Sequence, residues 1–405
     1  MSFPRFPKFG ELLLWLAGGA AALVLGWLFL KATASPAGKP TESSIVLVTP
    51  TPSPEMTPTV ENIWRLIVTP TPGGDLNLEP TVVVVTPPPV IYPAARGRSG
   101  FQFGGQVLDL NYVDKMKWAG MKWVKWQIDE GDADGLDKIR RGHEQGFKVL
   151  LTVIGNPVLV DDGGYHAQYA AYVASLAGGG ADAIEVWNEP NIARDWPAGK
   201  ISPGTYIRIL KPSYEAIKAA NPDTIVISAA QAATLVSKSL RTANFWTEVD
   251  FTTEFVREGG LLYADCVGVH YNVGISAPLN TDPALKGDAA FWFLPRILKY
   301  YADLTRGTRP VCITELGYLT DEGLDPLETV APDFAWAKDT TLKDQAEWHA
   351  LAAKTGLGNS LIEMIVVWNV DFYGYGADPH AGYAIIRRDG GCPACDALHA
   401  VLGGG

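Results

Sequence analysis

Eight short runs rich in β-branched and aromatic residues recur along the chain, and stretches of helical spacing alternate with them. The runs are Phe101–Val107, Trp123–Ile128, Lys148–Ile154, Ala183–Trp187, Thr224–Ala229, Cys266–Tyr271, Pro310–Thr314 and Ile362–Trp368. Helical patterns lie between them at Asn111–Ala119, Leu136–Gln145, Ala167–Leu176, Thr205–Ala220, Phe293–Leu304 and Leu342–Lys354. Strands separated by helices pair in parallel, because each helix carries the chain back along the sheet. Eight such units fit a closed (β/α)8 TIM barrel better than an open doubly wound sheet. No G-x-G-x-x-G and no phosphate loop is present to favour the open form. Pro203 in a first helical turn, and Gly120, Gly146 and Gly178 after helix ends, agree with the alternation.

The barrel cannot account for all 405 residues. Leu12 to Leu30 is an unbroken apolar run, long enough to span a bilayer at about 1.5 Å per residue, and Arg5 and Lys8 precede it. It exceeds the roughly 7–15 residues of a signal-peptide core, so residues 1–31 read as a retained transmembrane anchor. Cleavage after Ala34, in the small-residue site Ala32-Thr33-Ala34, is the alternative. The expected location is the cell membrane, single-pass with the barrel outside, or secreted after that cleavage. Residues 32–98 hold nearly half of the 29 prolines, and Val-Thr-Pro-x-Pro recurs at Val48–Pro52, Val68–Pro72 and Val85–Pro89. Such composition buries too little apolar surface to fold, so it reads as an extended, disordered linker. Residues 99–405 remain as the folded domain.

The formal charge of −11 comes with no basic stripe beyond the linker, which argues against a nucleic-acid partner. The six histidines are scattered with no H-E-x-x-H, and no G-x-S-x-G elbow occurs. Glu130 to Gly135 is faintly like a calcium loop, but its twelfth position falls on Arg141 rather than Glu. Neither a metal nor a cofactor is called for. Cys392 and Cys395 read as a local disulfide, whereas Cys266 and Cys312, inside strands, read as buried thiols.

Two of the strand runs end on a carboxylate. Ala183 to Trp187 stops at Asn188-Glu189-Pro190, and Pro310 to Thr314 stops at Glu315. These are the fourth and seventh strands, nearly opposite across the mouth of an eight-stranded barrel. Their side chains can converge to the ~5–5.5 Å separation of a retaining glycosidase. A lone Glu at a strand end is as readily a solvated or salt-bridged residue; the pair points to catalysis.

Trp187-Asn188-Glu189-Pro190, followed by Thr314-Glu315-Leu316-Gly317, resembles the acid/base and nucleophile motifs of clan A retaining glycoside hydrolases, a superfamily that includes cellulases, β-glycanases and β-xylosidases. The resemblance implies a (β/α)8 barrel that cleaves β-linked oligo- or polysaccharides by double displacement. Glu189 would be the acid/base and Glu315 the nucleophile, and the charge of Glu315 is expected to raise the pKa of Glu189. By the same resemblance Asn188 would bind the sugar 2-hydroxyl, Trp368 would be a sugar platform, and His270 and Tyr271 would support the pair. Tyr271 is the expected donor to Glu315, although adjacent positions leave open which of the two points inward. Relatives carry an Arg near the nucleophile where this chain offers Lys125, Gln127 and Asp129. Trp196 and the loop Asn369–Tyr375 are either further sugar contacts or rim packing. Two other classes remain: a catalytically silent glycan-binding barrel, and a transglycosylase remodelling extracellular polysaccharide.

Overall fold

A computed structural model describes residues 100–403, apart from 235, 237, 238, 275, 276, 280–292 and 375–377. Eight parallel strands close a barrel in sequential order. They are β1 Gln102–Gln106, β2 Trp123–Asp129, β3 Lys148–Ile154, β4 Ala183–Val186, β5 Ile225–Ser228, β6 Cys266–Tyr271, β7 Val311–Leu316 and β8 Ile362–Val367. β8 pairs back onto β1, Gln102 opposite Met364. The helices are α1 Val113–Trp118, α2 Gly135–Glu144, α3 Gly163–Gly178, α4 Pro203–Ala220, α5 Glu248–Arg257, α6 Leu294–Thr305, α7 Leu327–Val330, α8 Leu342–Gly358 and α9 Pro393–Leu402.

Every expected strand is present. Several of the helix starts between the strands are locally encoded. Ser202 caps α4 through Thr205 N with Pro203 following, Asp162 caps α3, and Thr341 with Asp344 forms a capping box on α8. Helices α5, α7 and α9 were not anticipated. In α5 the buried face carries Glu248, Asp250, Thr252 and Glu254 beside Phe251 and Phe255, a mixture that does not read as an apolar stripe.

Side chains fill the barrel in layers. The lowest is apolar: Trp123, Leu150, Ala183, Ile225, Ile227, Cys266, Cys312, Met364 and Val366. Above it lies a fully buried polar layer of Lys125, Thr152, Glu185 and Thr314. Gly268 on β6 makes room there, since a Cβ would lie 2.1 Å from Ser228 O and 3.1 Å from a Glu185 oxygen. The outer core, between barrel and helices, is larger and includes Val226, Val267, Val269, Ile313 and Ile365.

Cys266 and Cys312 are not thiols. They join β6 to β7 as a disulfide, with Cα atoms 5.9 Å apart. Adjacent parallel strands bring the two within reach, Cys312 pairing with Gly268 two residues along from Cys266, a proximity that sequence separation hides. Cys392 and Cys395 form the expected local disulfide at the start of α9.

The membrane assignment is corrected. No helix among the described residues is long and apolar enough to cross a membrane. The expected anchor at 1–31 and the linker at 32–98 lie outside the described residues. A single-pass membrane location is therefore not supported.

Candidate active site

The polypeptide leaves β4 through an unusual backbone. Trp187 (φ 76°) and Glu189 (φ 40°) both take left-handed conformations that cost side-chain-bearing residues about 1–3 kcal/mol each. Surrounding contacts hold them there: Trp187 N donates to Val153 O at 3.0 Å and Glu189 N to Ala230 O at 3.0 Å. The Trp187 ring turns outward onto Tyr169 and Trp196, and its Nε1 donates to Asp195 O. Gly155 at the end of β3 admits that ring, because a Cβ would lie 2.0 Å from it. With Trp187 outward, Glu189 is left buried at the mouth, only 5% exposed.

Glu315 reaches the same mouth from β7. A bulge makes this possible. His270 pairs with Glu315 while Val269 pairs with Ile313, so Thr314 is an extra residue, and the pairing with β8 is irregular over the same stretch. Thr314 and Glu315 consequently both contact the interior. Thr314 Oγ1 donates to Glu185 Oε1 at 2.8 Å, and Glu315 Oε2 accepts from Asn272 Nδ2 at 3.1 Å. Lys125 Nζ donates to Glu315 Oε1 at 3.4 Å and to Thr314 O at 3.0 Å, and lies 3.8 Å from Glu185 Oε2.

His270 stands between the two carboxylates. Its Nδ1 is 2.8 Å from Glu189 Oε1 and 3.6 Å from Glu315 Oε2. One donor atom from each of Glu189, His270 and Glu315 lies within 4.8 Å of the others. Such a donor set would also accept a divalent cation; here Arg194 and Lys125 already supply positive charge to the carboxylates.

Electrostatics depart from the expectation for Glu189. Burial pushes its pKa up, but the charge of Arg194, the hydrogen bond and charge of His270, and the charge of Lys125 outweigh it, bringing the value down to about 2. Burial opposes charging His270, yet Glu315, Glu189 and Glu185 raise its pKa above 6.5. The proton of this pair therefore rests on His270. Arg194 pairs with Glu189 Oε2 and also holds Asp195, with Nε 3.1 Å from Oδ1. Asp195 in turn accepts from Asn188 Nδ2 at 2.7 Å. Asn188 Oδ1 is buried without a hydrogen-bond partner among the described residues.

Among the other expected site residues, Tyr271 is corrected. It points away from the mouth, fully buried against Tyr318 in the outer layer at a centroid distance of 6.0 Å. Strict alternation along β6 sends His270 in and Tyr271 out. Trp368 follows β8 and is partly buried against Tyr383 and His380, at 4.7 and 5.4 Å. Trp196 is rim packing: it is 1% exposed, and its Nε1 donates to Lys200 O. In the loop after Trp368, Phe372 and Tyr373 stack at 4.8 Å, and Tyr375 lies outside the described residues. Sequence reasoning missed Glu185, Arg194 and Asp195; it named Lys125 only as the departure from an expected Arg.

By sequence, no family model and no curated protein matches the chain. Among solved structures it is similar to the endoglucanase Cel5A of Thermotoga maritima (14% identity, TM-score 0.44, 74% of this chain and 97% of that one). It is also similar to a broad-specificity GH5-4 endoglucanase of Clostridium longisporum (15%, 0.48, 73% and 86%) and to an endo-1,4-β-mannanase of Rhizomucor miehei (12%, 0.45, 75% and 94%). With TM-scores below 0.5 they carry no weight for function, which has to be read from the site itself.

Proposed function

We propose that the chain is a retaining glycosidase acting on β-linked glycans, with Glu315 as nucleophile and Glu189 as acid/base. The observation that carries this reading is the meeting of Glu189 and Glu315 around His270, with donor atoms within 4.8 Å of one another. Carboxylates whose nearer oxygens approach this closely are compatible with the ~5–5.5 Å separation of retaining enzymes.

Lys125 and Asn272 fix the Glu315 carboxylate so that one oxygen can attack the anomeric carbon. Glu189 must give a proton to the leaving oxygen, and with a pKa near 2 it holds none at neutral pH. The 2.8 Å hydrogen bond from His270 Nδ1 supplies one. The proton passes to Glu189 as the glycosidic bond breaks, and the bond's electron pair goes to the leaving oxygen. In the second step Glu189 takes a proton from water, which opens the ester on Glu315, and His270 is recharged. Asn188 Oδ1, buried and lacking a partner among the described residues, is available to a sugar hydroxyl.

Hydrolysis of a panel of aryl β-glycosides tests the reading. Wild-type activity with loss in Glu315→Ala supports it. Glu189→Ala should lose about 10²–10⁴-fold on poor leaving groups and far less on activated ones, which need no proton. Binding without turnover by wild type would instead favour a silent glycan-binding barrel, and elongated products with an added sugar acceptor would favour a transglycosylase.

A further inference from the structure

The mouth carries two cations at different depths. Lys125 is fully buried beneath Glu315, whereas the Arg194 side chain is 55% exposed and lies against a Glu189 side chain only 7% exposed. Arg194 also contacts Asp195, whose carboxylate is anchored independently by Asn188. Released from Glu189, the guanidinium would stay tethered at Asp195 with a free edge toward solvent, beside the oxygen that protonates the leaving group.

Arg194 opposes the protonation of Glu189 that the reaction proposed above requires. Protonating Glu189 removes one of the two counter-charges of Arg194, leaving Asp195 as the other. A carboxylate on the substrate restores it, and a guanidinium fork matches a carboxylate in two parallel hydrogen bonds. We infer that Arg194 selects β-glycans whose leaving-group sugar is a uronic acid: the sugar carboxylate takes Arg194 from Glu189, and the acid/base then accepts the proton of His270 more readily. This rests on the glycosidase reading and deepens it by naming the substrate class.

The exchange balances. The substrate brings one negative charge to Arg194, and Glu189 gives up one on taking the His270 proton. That proton leaves with the sugar's glycosidic oxygen and is restored from the water consumed in the second step. The groups that face Glu189 are Arg194 and Asp195 from its own loop, His270 from β6, Glu315 from β7 and Lys125 from β2, and Glu185 from β4 acts on His270. Of these, Arg194 alone is both cationic and largely open to solvent.

The test compares kcat/KM of the full chain on three matched β-linked oligosaccharides whose leaving sugar is neutral, carboxylated or sulfated, in wild type, Arg194→Gln and Arg194→Lys. The wild type is expected to favour the carboxylated substrate by about 10- to 100-fold. Arg194→Gln should abolish that preference and improve turnover of the neutral substrate, and Arg194→Lys should keep part of the preference. Equal rates on neutral and carboxylated substrates, a preference for the sulfated one, or a uniform loss in Arg194→Gln would each overturn the inference. Activated aryl glycosides in the same assay separate the two readings. If they are cleaved while the oligosaccharides show no uronate preference, only the role of Arg194 falls. If none is cleaved, the glycosidase reading falls with it.

Discussion

Glu189 and His270 share one proton, and the split between them governs when the site can work. Because burial favours a neutral pair and the neighbouring charges favour an ionic one, the two residues titrate together rather than singly. With Glu189 drawn down to about 2 and His270 raised from its ordinary 6.5, the pair loses its proton as pH climbs through the elevated value of His270. The alkaline limb of kcat/KM on poor leaving groups should therefore lie above 6.5 and vanish on activated aryl glycosides. His270→Asn should lower activity on poor leaving groups while sparing activated ones; an unchanged alkaline limb in that variant would show that His270 holds no catalytic proton. At this scale the sequence was readable in part. Glu189, Glu315 and Asn188 stood out because a strand-length run ended on them. Arg194 did not, since a charged loop residue five positions past the acid has no pattern that separates it from solvated surface. Its effect also reverses the expected pKa of Glu189: Arg194 and His270 outweigh the repulsion that Glu315 was expected to supply.

Among the elements, β7 departs most from what periodicity dictates. Simple alternation from Cys312 inward would aim Thr314 inward and Glu315 out toward the helices. The bulge at Thr314 lets both face the interior, and it depends on pairing with β6 and β8 that no local sequence signal records. The Cys266–Cys312 disulfide was hidden for the same reason, as neighbouring strands lie 46 residues apart in sequence. Helix α8 braces the back of β7 through His349, which is fully buried with its ring 5.2 Å from Tyr318 and its Nδ1 donating to Gln345 O. Burial lowers the His349 pKa to about 4 from an ordinary 6.5. The unfolded chain takes up this proton first, so stability should begin to fall as pH drops below 6.5 and level off below about 4, by roughly 3 kcal/mol in all. Urea melts across that range should reveal the slope, and His349→Gln should flatten it; an unchanged slope would mean that His349 is not the group responsible. Glu189 adds its own loss only lower, between about 4.5 and 2.

For the molecule as a whole, the barrel was legible because eight β-rich runs and their intervening helices repeat in one order, and every strand was found where that repeat placed it. The four-residue α7 is too short to show a period, and the buried face of α5 mixes Glu248, Asp250 and Glu254 with Phe251 and Phe255. Closure is also what creates the site: β4 and β7 meet across one mouth only when β8 returns to β1. The account turns on a covalent bond forming between the sugar and Glu315. Incubating the protein with a 2-fluoro β-glycosyl fluoride, which slows the second step, and sequencing the labelled peptide by mass spectrometry tests this directly. A single glycosyl adduct on Glu315, absent in Glu315→Ala, is the result the account predicts. Turnover of β-glycosides with no adduct, or an adduct on another residue, would contradict it.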